Sequence, residues 1–170
     1  MKKDSVDIKP VDIKPVDIKP VDIKTVDIRT VDIKTALETY GQFVGTTVGV
    51  SMRPMIKSGK DIVVISSKIR RLNVYDVALY KRGEENVLHR VLEVKENGYV
   101  TRGDNCLQNE FVPEENVIGV LETYFKGKKQ VDLKSKEYFK YVKRRLKYYP
   151  LRKFFFTLKQ KIKELFGIGR

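Results

Sequence analysis

The stretch "VYDVALYKRGEENVLHRVLEVKENGYVTR", Val74 to Arg102, decides the fold class. It holds three short apolar runs, VYDVALYKR, VLHRVLEVK and GYVTR, punctuated by Arg82-Gly83 and Asn97-Gly98. Runs this short, rich in Val, Leu and Tyr and bounded by turn residues, read as β-strands. The Asn97-Gly98 pair reads as a tight hairpin turn. Working outward, DIVVIS (61–66) and NVIGVLETYF (116–125) read as further strands. FVGTTVGV (43–50) reads as a strand ending just before Ser51, and ALETYGQF (36–43) as a short helix or lead-in. Residues 36–130 are therefore expected to form a mainly β domain, a compact β-barrel or folded sheet.

The flanks have a different character. Residues 6–35 are six tandem pentapeptides, VDIKP three times, then VDIKT, VDIRT and VDIKT. Pro10, Pro15 and Pro20 break helices and remove amide donors, so residues 1–35 are expected to be extended or disordered, with a reach of roughly 90 Å for thirty residues. A pentapeptide β-solenoid is the second reading, but six short units make few coils to bury one another. Residues 131–170 are expected to be a basic, amphipathic helical tail. Leu151, Phe154, Phe155, Leu158, Ile162, Leu165 and Phe166 recur at spacings of three and four, among lysines. Tyr138, Phe139, Val142, Leu146 and Tyr149 form a similar stripe, and Pro150 divides the two.

Charge follows the same division. Residues 1–124 carry equal numbers of basic and acidic side chains, so the net charge of +13 falls entirely in residues 125–170. A basic amphipathic tail of this kind, over 138–170, is expected to meet an anionic membrane surface. Packing of both helices on the body is the plainer alternative. Nucleic acid is not an expected partner, because no reading module accompanies the basic residues. Cys106 is the single cysteine, which excludes an intrachain disulfide and fits a reducing compartment. No window offers a spanning helix, and "MKKDSVDIKP" lacks the apolar core of a secretory signal. The expected location is cytoplasmic, peripheral on the inner membrane face.

Chemistry is suggested by "GVSMRPMIKSGKD", Gly49 to Asp61. A serine attacks an amide only when a base removes its proton and donors face the oxyanion. Ser51 lies on a turn that Pro54 restricts. His89 is the chain's only histidine, and an imidazole is the usual base for a serine. On a strand, His89 shares a face with Val87 and Val91. Asp104, in the turn "TRGDN", can orient an imidazole. Each residue also has an ordinary role: a serine that caps, a strand histidine bonded to a carbonyl, an aspartate bonding its own turn. One His and one Cys do not make a usual zinc site, and no glycine-rich phosphate loop is present, so no metal or cofactor is expected.

Taken in order and spacing, "SMRP", "VLHRVLEV" and "RGDN" resemble the signal peptidase I group of serine peptidases and their self-cleaving repressor relatives. The resemblance spans roughly residues 49–120. It implies a signal-peptidase-like β fold with Ser51 as nucleophile, Met52 beside the substrate groove and Pro54 holding the turn. His89 stands where many bacterial members carry a lysine, as in the archaeal and endoplasmic-reticulum type. Asp104 matches the family's Gly-Asp-Asn turn. Glu110, in "CLQNE", is the other candidate for the acidic member, and the choice between them is open. Gly49 replaces a hydroxyl residue that assists the oxyanion hole in many members, leaving more of that task to the Ser51 amide. The substrate would add to the sheet as a strand. The implied activity is that of a serine endopeptidase cutting a peptide or precursor protein near the membrane. A non-catalytic peptide-binding or membrane-tethering module is the alternative. A self-cleaving regulator is a third reading, disfavoured because the VDIKP repeats stand where a DNA-reading domain would be. Proximity of Ser51 and His89 beside an open groove separates the enzyme from the module.

Overall fold

A computed structural model describes residues 33–165, so both readings of the pentapeptides fall outside the described residues except at Ile33–Thr35. Those three residues are helical. They open α1 (Ile33–Tyr40), which buries Ala36 and Leu37 and closes with Gly41 N donating to Leu37 O at 3.0 Å. The strands follow as β1 (Gln42–Thr46), β2 (Ile62–Ser67), β3 (Val77–Arg82), β4 (Glu85–Lys95) and β5 (Gly98–Arg102). Then come β6 (Glu110–Pro113), a 3-10 turn at Glu114–Asn116, β7 (Val117–Lys126) and β8 (Lys129–Asp132). Helices α2 (Lys136–Lys147) and α3 (Tyr149–Leu165) end the described chain.

The molecule is mainly β, with a curled half-barrel sheet and C-terminal helices. The sheet is antiparallel, in the order β1-β2-β7-β3-β4-β5-β6, with β8 also paired to β7. Register shifts interrupt the β2–β7, β3–β7 and β4–β5 ladders, and bulges of this kind sharpen local twist and bend a sheet. Alternation along β3 explains why both faces of the sheet are covered there. Val77 and Leu79 enter one cluster with Met52, Met55, Ile56 and Leu121. Ala78 and Tyr80 enter the other with Val87, Val91, Tyr99 and Val112.

Two local expectations shift. The β4–β5 hairpin pairs Lys95 with Gly98, so its loop is Glu96-Asn97 and Gly98 already belongs to the strand. Glycine is needed there for close approach: a Cβ would lie 2.2 Å from Val112 O. The strand expected to run up to Ser51 stops at Thr46. Beyond it, the Thr47 carbonyl accepts from Ser58 Oγ at 2.7 Å and from Gly59 N at 3.2 Å, which takes it out of the ladder. Ser51 therefore lies in a turn several residues past the strand.

The tail divides in two. The boundary expected after residue 130 falls inside β8. Helix α2 is capped by Ser135, whose Oγ accepts from Tyr138 N at 3.2 Å, and it buries Tyr138 and Val142 in the cluster that holds Met52 and Leu121. Pro150 sits in the first turn of α3, where the amide it lacks has no helical partner to lose. Along α3, Leu151, Phe154, Phe155, Leu158 and Ile162 are all exposed.

Candidate active site

His89 sits on β4 directly opposite Ala78 of β3, and Tyr80 lies diagonal to it on the same face. A small residue opposite and a long aromatic on the diagonal bring the phenol to the imidazole. Tyr80 Oη lies 2.9 Å from His89 Nδ1 and 2.7 Å from Glu110 Oε2. Nδ1 and that carboxylate oxygen are themselves 3.8 Å apart. Both His89 and Tyr80 are buried, and Glu110 is partly so.

This geometry fixes where the protons sit. Burial, then the bond to Glu110, pushes the Tyr80 phenol well above its ordinary value, so it keeps its proton. That single proton is donated to Glu110 Oε2. Tyr80 Oη must then accept at its other contact, so Nδ1 of His89 carries the hydrogen. The lone pair is left on Nε2. Burial also lowers the His89 pKa below 6.5, with Glu110 pulling the other way. The imidazole is thus neutral near pH 7, with its basic nitrogen pointing away from the carboxylate.

Nε2 faces Gly103, in the turn after β5. A Cβ on residue 103 would lie 3.0 Å from His89 Nε2, 2.7 Å from Ser51 O and 2.8 Å from Cys106 Sγ. Only a residue without a side chain lets these groups converge. The Ser51 carbonyl accepts from Asn105 N at 2.7 Å, tying the serine's peptide to the same turn. Among the described residues neither the Ser51 hydroxyl nor Nε2 has a hydrogen-bond partner, and the Ser51 amide donates no bond. The serine and the imidazole border one cavity of about 760 Å³, walled largely by apolar residues that include Val50, Met52, Ile56 and Leu79. A second cavity, about 1110 Å³, lies between Glu110 and α3. Arg82, His89, Asn105 and Cys106 border both.

The two acidic candidates have separate environments. Asp104 does not touch His89. It is buried in a two-pronged pair with Arg90, Nε to Oδ1 and Nη2 to Oδ2, both at 2.8 Å. Burial alone would lower the Arg90 pKa; the Asp104 carboxylate overrides it and holds the guanidinium above its ordinary value. Tyr141 of α2 donates to Asp104 Oδ2 at 2.9 Å, and Arg90 Nη1 donates to Tyr138 Oη at 2.7 Å. Arg145 and Arg152 both donate to the Asp104 carbonyl, at 2.9 and 3.0 Å. Asp104 thus anchors the helices to the turn that carries Gly103, while Glu110 is the acid that reaches His89, through Tyr80.

Met52 borders the Ser51 cavity but is mostly core. Pro54 is exposed, follows a cis peptide bond and borders neither cavity. Tyr80 was not singled out from the sequence. The signal for it was the β3–β4 register, which sets Tyr80 diagonal to His89. Comparison with protein-family models, with curated proteins and with solved structures finds no match for this chain.

Proposed function

We propose that this chain is a serine endopeptidase of the signal peptidase I-like type, cutting a peptide or precursor protein at a membrane surface. The observation that carries this reading is that the Ser51 peptide carbonyl and His89 Nε2 both meet Gly103, and that the serine, its hydroxyl unpartnered, and the neutral imidazole border one cavity. Catalytic hydrogen bonds are often long without substrate and tighten when it binds. In the reaction, Nε2 takes the Ser51 proton as Oγ attacks the substrate carbonyl. The oxyanion formed would accept from the free Ser51 amide. Collapse expels the amine, which receives the proton from His89, and leaves an acyl-serine. Water attacks that ester with His89 again as base, releasing the acid and restoring the hydroxyl. Tyr80 and Glu110 hold the ring and offset the positive charge that develops on it.

A membrane surface is supported by α3. Leu151, Phe154, Leu158 and Ile162 form an exposed apolar stripe, with the exposed Lys161 beside it. No helix among the described residues is long and apolar enough to cross a bilayer. A helix of this composition suits the interface plane of an anionic leaflet, which supports a peripheral position at the cytoplasmic face. A non-catalytic peptide-binding module is the second reading, favoured by the absence of a Ser51–His89 hydrogen bond.

The deciding experiment incubates wild type, Ser51→Ala and His89→Ala with a diverse peptide library and follows new termini by mass spectrometry. Cleavage by wild type alone is expected. Equal processing by all three ends the peptidase reading.

A further inference from the structure

The two cavities that meet at His89 differ in polarity. The one holding Ser51 is walled mainly by apolar side chains. The one beneath α3 is cationic: Arg82, Arg152, Lys153 and Lys159 border it, against the single carboxylate of Glu110. Glu110 is already engaged by Tyr80 at 2.7 Å and approached by Arg82 at 3.5 Å. Among the described residues no carboxylate pairs with Lys153 or Lys159. Burial and the nearby Arg145 and Arg102 guanidiniums lower the Arg152 pKa, outweighing the opposing pull of Asp104.

Helix α3 turns two different faces outward. Arg152, Phe156 and Lys159, at i, i+4 and i+7, line the cationic cavity with Lys153. Leu151, Phe154, Leu158 and Ile162, the stripe read as lipid-facing, are not part of that lining. The cavity's cations therefore face the protein's own cleft, where a bound chain would neutralise them.

We propose that the cavity under α3 receives an acidic segment of the substrate, so that the preferred chains carry carboxylates on one side of the scissile bond and apolar side chains on the other. This assignment rests on the peptidase reading for the position of the scissile bond. Four cations, of which Arg82 is paired with Glu85 and Glu110 while Lys153 and Lys159 meet no carboxylate among the described residues, lie beside an apolar trough and so disfavour basic segments while favouring acidic ones.

The test uses the full chain carrying Ser51→Ala and fluorescein-labelled peptides with one shared apolar segment followed by a run of glutamates, glutamines or lysines. Fluorescence anisotropy is expected to show the glutamate peptide binding about tenfold tighter than the glutamine one, the lysine peptide weakest, and a gap that narrows as salt is added. Adding Lys153→Glu with Lys159→Glu should invert the order, and Lys153→Gln with Lys159→Gln should flatten it. The unchanged NMR signal of the lone imidazole reports an intact site. Equal binding of glutamate and glutamine peptides overturns the proposal. So does a lysine variant that keeps the glutamate preference while losing affinity for phosphatidylglycerol vesicles, which would assign those cations to lipid. Glutamate-selective binding with no cleavage by wild type would remove the peptidase and leave the cationic cleft standing. Cleavage by wild type with no charge preference in binding would do the reverse.

Discussion

The Tyr80 hydroxyl stands between His89 and Glu110, 2.9 Å from the imidazole Nδ1 and 2.7 Å from the carboxylate. It transmits the orienting influence of an acid that is itself 3.8 Å from the ring. Tyr80→Phe removes that link while keeping the ring's packing. One net hydrogen bond contributes about 1 kcal/mol, so turnover should fall roughly five- to tenfold with KM little changed. The 15N shifts of the single histidine should move from one tautomer to a mixture. A variant that keeps the wild-type tautomer would contradict the assignment.

The pH dependence follows from the same ring. Its pKa is lowered from 6.5, chiefly by burial. Above that value folded and unfolded chains both hold it neutral. As pH falls through it, the unfolded chain takes up a proton first, so stability drops until the folded imidazole titrates as well. The proposed peptidase activity would need the neutral form and should persist below pH 6.5, falling only as the folded ring protonates. An NMR titration of His89 checks this, and a midpoint at or above 6.5 would be the contrary result.

Asp104 and Glu110 should separate cleanly by mutation. Asp104→Ala strands the buried Arg90 guanidinium without its partner. Breaking such a pair costs about 3–5 kcal/mol, so urea unfolding should show a large loss of stability. Glu110→Gln touches a partly exposed carboxylate, so the midpoint should barely move while turnover falls. The opposite pattern would exchange their roles.

The exposed stripe of α3 predicts selective lipid binding. Vesicles containing phosphatidylglycerol should co-sediment with the protein, and phosphatidylcholine vesicles much less. Burying one large apolar side chain contributes about 1.5–3 kcal/mol. Phe154→Glu with Leu158→Glu should therefore weaken binding by more than about tenfold. Unchanged co-sedimentation would remove α3 as the docking element.

Much of this was legible in the residues, and the misses have physical reasons. Strands β2 to β5 and β7 carry runs of Val, Leu, Ile and Tyr long enough to declare themselves. β6, "EFVP", and β8, "KQVD", are short and half polar; β6 pairs along the free edge of β5, and β8 along the end of β7 that extends past β3. The break at Pro150 was readable because proline is tolerated at a helix start and not within one. The role of Asp104 was not. A turn aspartate looks the same in sequence whether it bonds its own backbone or a buried arginine brought in by a neighbouring strand.

The Arg90–Asp104 pair also changes what counts as an appendage. Tyr138, Tyr141, Arg145 and Arg152 all converge on it from the two C-terminal helices. A chain shortened at residue 130 would lose Tyr138 and Val142 from beneath the sheet and leave the Gly103 turn without its outer support. The basic extremity is thus a keystone of the Gly103 turn, and loosening it from outside would be felt at Ser51.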